Sequence, residues 1–218
     1  MRCLHWTLIA LWVTAALCAE EPTALGAEKP APLRAEGAST PWKPLWDGKT
    51  FSGWHKIGTG VWTIEDGAIV GRKEAQDKEF GHLVSDAEVG DFTIRLKFKS
   101  LKGDSGFYFR IAEKGYSGVS GFHAQVEPGG MTGALYETNG RAWVVRPSAE
   151  LITKTFLPND WNRMSIDAHG DRITVYLNDV KVTELKGDVG RRKGHLALQL
   201  HGGNDMLVMF KDIEQRQE

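Results

Sequence analysis

Three stretches of this 218-residue chain place a polar side chain at every second position between apolar ones. In Phe107-Tyr108-Phe109-Arg110-Ile111, alternation puts the phenylalanines and Ile111 on one side of a strand and Tyr108 with Arg110 on the other. In Phe122-His123-Ala124-Gln125-Val126-Glu127, His123, Gln125 and Glu127 project together, spaced about 6.6 Å apart along the strand. In 195–201 the leucines 196, 198 and 200 go inward, while His195, Ala197, Gln199 and His201 share the other face. An ordinary solvated face carries Lys, Glu and Thr. These combs present His, Gln, Tyr, Arg and a single Glu, which hydrogen-bond in fixed geometry and suit a pocket that recognises hydroxyls.

The set also limits the chemistry. A retaining or inverting glycosidase needs two carboxylates flanking the bond. The comb His123-x-Gln125-x-Glu127 supplies one, which argues against ordinary glycoside hydrolysis. His195 and His201 share strand parity but lie about 20 Å apart, too far to chelate one ion. No two-histidine, one-carboxylate spacing stands out and no metal ligand is assigned, although a structural calcium in a loop stays open. There is no phosphate-cradling glycine loop. Simpler roles stay open too: each histidine as a hydrogen-bonded strand residue, and Arg110 paired with Asp104 or Glu127.

The elements that must position these residues read as strands. In 91–99, Phe92, Ile94, Leu96 and Phe98 alternate with Thr93, Arg95, Lys97 and Lys99. Asp66-Gly67 between Trp62-Thr63-Ile64 and Ala68-Ile69-Val70 is a strong hairpin signal. Stretches 161–168 and 171–177 alternate, Asn178-Asp179 turns into Val180-Lys181-Val182, and 207–213 closes the chain. After Trp42 no amphipathic helix of ten residues is evident. Many short strands with Gly-rich turns indicate an all-β, single-domain sandwich or barrel.

Residues 1–19 stand apart. A positive start, an apolar run without Asp or Glu, and Cys18-Ala19 form the pattern of a secretory signal peptide, too short for a stable membrane span after its removal. Residues 20–41, with four prolines, read as an extended linker, and 42–218 as the folded domain. The chain is therefore expected to be exported, to the periplasm or beyond. Cys3 and Cys18 both fall in the leader. The mature chain then has no thiol, which excludes thiol catalysis, zinc–thiolate sites and iron–sulfur clusters. A formal charge of −1 gives no basic excess for nucleic acid.

Several motifs, in order, resemble the bacterial 3-keto-disaccharide hydrolase domain family. They are Leu45-Trp46-Asp47-Gly48-Lys49 with Gly53-Trp54, the Trp62 to Gly67 hairpin, Asp104-Ser105-Gly106-Phe107-Tyr108-Phe109-Arg110, and Gly121 to Val126. Gly133-Ala134-Leu135-Tyr136, Trp161-Asn162, Leu177-Asn178-Asp179, Leu198 to Gly202 and Phe210-Lys211-Asp212-Ile213 complete the series. Asp104, Lys211 and Asp212 depart from the family's usual Asn, Arg and Asn, and His123 stands where Glu is common. The resemblance implies a concanavalin A-like jelly roll of two antiparallel sheets, and action on 3-keto sugars in an oligosaccharide or glycoside.

A 3-keto sugar needs one base for the hydrogen on C2, a cation or donor for the enolate oxygen, and an acid for the leaving oxygen. His123 or His201 is expected as the base. Arg110 is expected at the C3 oxygen, and Glu127 as the acid if burial raises its pKa. Tyr108, Gln125, Tyr136 and Gln199 are expected to bind hydroxyls. Lys211 joins the binding set, although with Asp212 it also fits a tie between the last strand and its neighbour. No cofactor is called for, with a structural or catalytic divalent metal left open. The alternative is a non-catalytic carbohydrate-binding module, in which stacking aromatics would dominate.

Overall fold

The computed structural model describes residues 40–216. The expected leader, and all of the expected linker except residues 40 and 41, lie outside the described residues. The strands are β1 (Lys43–Pro44), β2 (Trp54–Gly58), β3 (Val61–Glu65), β4 (Ala68–Lys73), β5 (Gly81–Val89), β6 (Phe92–Lys102), β7 (Ser105–Lys114) and β8 (Gly118–Val126). They continue with β9 (Leu135–Thr138), β10 (Ala142–Val145), β11 (Asn162–His169), β12 (Arg172–Leu177), β13 (Val180–Leu185), β14 (Gly194–Leu200) and β15 (Met206–Arg216). One short helix, α1 (Ala149–Thr155), follows β10, its N-cap Ser148 accepting from the Leu151 amide.

Two antiparallel sheets result. One runs β13-β12-β11-β6-β15-β4-β3, with β1 added on β15; the other runs β10-β9-β8-β7-β14-β5-β2. Below they are the first and the second sheet. The expected hairpins form where both turn residues can take positive φ: Asp66 (48°) with Gly67 (69°), and Asn178 (48°) with Asp179 (69°).

The core is the inward half of each alternation. Phe92, Ile94, Leu96 and Phe98 of β6 meet Phe107 and Phe109 of β7, Phe122, Ala124 and Val126 of β8, and Leu196, Leu198 and Leu200 of β14. The far face of the second sheet is divided. One part is apolar, with Val84, Ile111, Val119 and Ala197 around the buried ring of Tyr108. The other part is polar and forms the site described below. No helix among the described residues is long and apolar enough to cross a membrane.

His55 ties three strands of the second sheet. Its Nδ1 lies 2.7 Å from Asp86 Oδ1 and its Nε2 lies 3.0 Å from Glu113 Oε1. The bond to Asp86, chiefly, raises the His55 pKa above its ordinary 6.5. A raised folded pKa gives stability that is full below about pH 6.5 and lost as pH climbs through the raised value. Thermal melts of wild type and His55→Gln from pH 5 to 9 should therefore converge toward the alkaline end. A gap that widens with rising pH would contradict this tie.

Candidate functional site

The polar half of the second sheet opens into a cavity of about 200 Å³, lined by Phe80, Asp104, Tyr108, His123, Gln125, Tyr136, Thr138, Trp143, Gln199 and His201. Three parallel rows of side chains build it. His123 and Gln125 come from β8, Tyr108 from β7, and Gln199 from β14, each between core residues on its own strand. Registers Tyr108↔His123 and His123↔Tyr136 place these three side by side across three strands.

Gln125 is the hinge of the hydrogen bonding. Its Nε2 donates to Asp104 Oδ1 at 2.5 Å, and its Oε1 lies 2.9 Å from His123 Nε2. An unprotonated carboxyl oxygen only accepts, so the Gln125 amide turns its NH₂ to Asp104 Oδ1 and its oxygen to His123. His123 then carries its proton on Nε2 and keeps a lone pair on Nδ1, which has no protein partner and is buried. Burial, opposed by the Gln125 bond and assisted by the nearby His201, pushes the His123 pKa down to about 4. The ring is thus neutral, with a basic atom held ready. Burial raises the carboxyl of Asp104, while His201 and the Gln125 bond oppose the rise and Glu127 adds to it.

A second chain runs beside the first. Gln199 Nε2 donates to the Tyr108 hydroxyl at 3.2 Å, and that hydroxyl lies 3.0 Å from Thr138 Oγ1. Rings continue across the floor. Trp143 packs edge-on to Tyr136, which stacks on His123 at 5.3 Å; His123 meets Tyr108 at 4.5 Å. Tyr108 then meets His82 at 5.3 Å, and Phe80 covers both His82 and His201. Gly106 makes room for His123. A Cβ there would lie 2.8 Å from the imidazole Cδ2 and 3.1 Å from its Cγ.

The structure brings together His123, Gln125, Tyr108, Gln199 and His201 from the three combs, and Tyr136 from outside them. His201 sits just past the end of β14, its Nδ1 facing the Gly202 carbonyl at 2.8 Å. Glu127 lies beyond the end of β8 and does not line the cavity. Its carboxylate accepts from the Met131 amide, and it borders an adjoining notch of about 330 Å³ that shares Asp104.

Two expectations are corrected. Arg110 does not share the face of Tyr108. It takes φ 52° in a β-bulge, where Arg110 and Ile111 together oppose the single residue Gly121 between the pairs Phe109↔Phe122 and Ala112↔Ser120. The extra residue sends the guanidinium toward the first sheet, where it binds Asp91 Oδ1 at 2.9 Å and the carbonyls of Gly170 and Ala168. Ile111 takes the face that Arg110 was expected to share. Lys211 also lies elsewhere. It sits on β15 of the first sheet with its Nζ 4.1 Å from the centre of the Trp161 ring, while Asp212 pairs with Lys97 on β6. No Arg or Lys lines the cavity.

The polarity of the site also includes residues that the combs did not reveal. Asp104 lies at the edge of β7, outside the alternation. His82 comes from β5, in the run Gly81-His82-Leu83-Val84, whose one signal was a histidine amid apolar neighbours. Among the described residues, no group of three or more His, Cys, Asp or Glu is placed to hold a metal ion. Another groove, of about 810 Å³, lies on the outer face of the first sheet and is crossed by the ion pairs Arg95–Glu214, Lys97–Asp212 and Arg163–Asp179. Paired charges of both signs give it no chemistry comparable to the cavity.

Comparison with known proteins agrees with this geometry. A family model described as a 3-keto-alpha-glucoside-1,2-lyase-like domain matches residues 41–216. A 3-keto-disaccharide hydrolase of Bacteroides thetaiotaomicron is 36% identical over 90 residues, covering 38% of this chain but 30% of that protein. The chain thus matches less than a third of that relative's length. A candidate glycosyl hydrolase of known structure from Parabacteroides distasonis superposes with a TM-score of 0.60 at 24% identity, over 82% of this chain and 100% of that one. The carbohydrate-binding module CBM66 of Bacillus subtilis superposes at 0.58 and 20% identity, over 76% and 96%. The fold is the concanavalin A-like jelly roll.

Proposed function

The chain belongs to the 3-keto-alpha-glucoside-1,2-lyase-like domain family, and from that premise we propose that it cleaves the glycosidic bond of 3-keto-glycosides by proton abstraction at C2. The observation that carries this is the His123 imidazole, buried and neutral, its tautomer fixed by Gln125 and its Nδ1 left without a partner.

His123 Nδ1 takes the C2 proton. The electron pair moves into the C2–C3 bond, and the C3 carbonyl oxygen becomes an enolate. When the enolate collapses, C3=O re-forms, a C1–C2 double bond appears, and the C1–O bond breaks. The leaving oxygen takes a proton. Asp104 is the residue suited to give it, because its carboxyl is raised by burial and Oδ1 alone is engaged by Gln125. Asp104 replaces Glu127 in that role, since Glu127 holds the Met131 amide outside the cavity. Water added back across C1–C2 gives net hydrolysis. With Arg110 elsewhere, enolate stabilisation falls to neutral donors, and the hydroxyls of Tyr136 and Thr138 line the cavity.

The test compares aglycone release from a 3-keto-glucoside and from the plain glucoside. Release from the keto substrate alone is expected, because only the ketone acidifies C2. Equal release from both would point to ordinary hydrolysis. Binding without release would move the assignment to a carbohydrate-binding module, a reading that the Tyr136–Trp143 pair lining the cavity also fits.

Gly106→Ala tests the seat of the base. The added methyl would stand 2.8 Å from the imidazole Cδ2, so the His123 ring must shift, and we expect turnover to fall about tenfold with an overpacking cost of about 1–3 kcal/mol. Unchanged kinetics would show that the ring position is not critical.

The leader pattern in 1–19 supports a further part of the proposal, export from the cytoplasm. Mass spectrometry of the N-terminus in cell fractions tests it. An intact Met1 in the cytoplasmic fraction would refute it.

A further inference from the structure

His82 and Gln199 are adjacent on neighbouring strands, in register across β5 and β14, with both side chains on the face that carries the cavity. Both are buried, at 2% and 3% exposure. Buried polar atoms in native proteins are nearly always bonded, yet Gln199 Oε1 and both ring nitrogens of His82 make no protein hydrogen bond of good geometry, the Ser117 backbone being the one polar group that approaches the imidazole. Both side chains are fixed against one group, Tyr108. Gln199 donates to its hydroxyl and His82 packs edge-on to its ring.

The three atoms make a complementary set. A neutral imidazole offers one N–H and one lone pair, and the amide oxygen offers lone pairs. A sugar hydroxyl has one hydrogen to give and two lone pairs to accept with. Gln199 lines the cavity, and what covers His82 beside it is Phe80. Its ring lies over His82 at 6.3 Å and 17°, and against His201 at 4.7 Å. At 37% exposure, Phe80 is a surface residue and not part of the core.

We propose that His82 and Gln199 form a hydroxyl-recognition niche beneath Phe80, uncovered when a keto-sugar ring enters, which makes them specificity-determining residues for a ring hydroxyl away from the reacting carbons. This rests on the cavity being the keto-sugar site proposed above, but not on turnover. His82 also accounts for an otherwise unused buried titratable group. Burial first, then the nearby His123, push its pKa down to about 4, with the Ser117 backbone opposing. It therefore stays an uncharged donor–acceptor at neutral pH.

The probe is 1,5-anhydro-3-keto-glucitol, which lacks a leaving group, with its 4-deoxy and 6-deoxy forms, titrated calorimetrically into the full chain. Wild type should bind one deoxy form roughly tenfold to a hundredfold more weakly than the parent, as a lost buried hydrogen bond implies. In His82→Phe that penalty should vanish, parent and deoxy forms binding alike, while any penalty at the other carbon persists. Equal weakening of all three ligands in His82→Phe would make its role structural. Equal binding of all three by wild type, or no binding, would overturn the niche.

Should His82→Phe fail to fold, Phe80→Ala decides. It should keep the deoxy penalty and let the His82 resonances titrate nearer to the ordinary 6.5. Loss of the penalty there, or an unmoved titration, would overturn the niche beneath Phe80. Intact deoxy discrimination without cleavage of any 3-keto-glucoside would remove the lyase reading and leave the niche standing.

Discussion

His123→Ala is expected to lower kcat on a 3-keto-glucoside by about a thousandfold, within the range of roughly 10²–10⁴ that a positioned general base contributes. The expectation follows from the tautomer. Gln125 receives the Nε2 proton, so only Nδ1 can accept another. Affinity for a keto sugar without a leaving group should change less than about threefold, because the loss falls on proton transfer. Because its pKa is already near 4, the ring is in its accepting form throughout the neutral range. The wild-type rate should show no inflection from this group between about pH 6 and 8. Added imidazole should restore part of the lost rate in the alanine variant. Full turnover by His123→Ala would end its assignment as the base.

Arg110→Ala is expected to act on stability instead. The guanidinium is fully buried and bridges Asp91 with the carbonyls of Gly170 and Ala168. Its removal takes a donor from Asp91 Oδ1 and the Ala168 carbonyl, while the Gly170 carbonyl keeps Arg192 Nη1 at 2.6 Å. Breaking a fully buried pair costs about 3–5 kcal/mol. Asp91 is half exposed, so water recovers part of that, and about 2–3 kcal/mol is the expected loss. Urea unfolding measures it. The folded variant should keep kcat within about threefold, since Arg110 does not line the cavity. A collapse of kcat with unchanged stability would return Arg110 to the site.

These two residues show where alternation can be trusted. His123 and Gln125 sit in a regular stretch of β8, and period two placed both correctly. Gln199 and Tyr108 followed for the same reason. Arg110 was misassigned because an inserted residue leaves no mark on its own side-chain pattern. The mark lies on the flanking strands. A Cβ at Gly121 would meet the Arg110 carbonyl at 2.7 Å, and one at Gly194 would meet the Ile111 carbonyl at 2.4 Å. Glycines within strand runs are the usual trace of a bulge or a close backbone approach. Lys211 followed a motif and not a face, and the motif's last strand belongs to the other sheet.

Asp104 and His82 escaped for different reasons. Asp104 precedes its strand, where no period applies, and its role emerges only once Gln125 reaches it. His82 interrupts an apolar run that reads as ordinary core. The all-β class was legible in short alternating segments and turn dipeptides, which survive any single irregularity, whereas two sheets in place of a barrel were implied only by the family resemblance.

The Arg110 bulge leaves both flanks in phase. Phe109 faces the core and Ile111 the opposite side, as they would if Arg110 were absent and the two were neighbours. The residue that ties one sheet to the other is therefore a self-contained insertion. One codon can add or remove it without shifting the frame in which Tyr108 meets His123 on one flank or Ile111 lies among its apolar neighbours on the other. Descendants of this fold can thus vary how firmly the sheets are tied while inheriting the pocket unchanged.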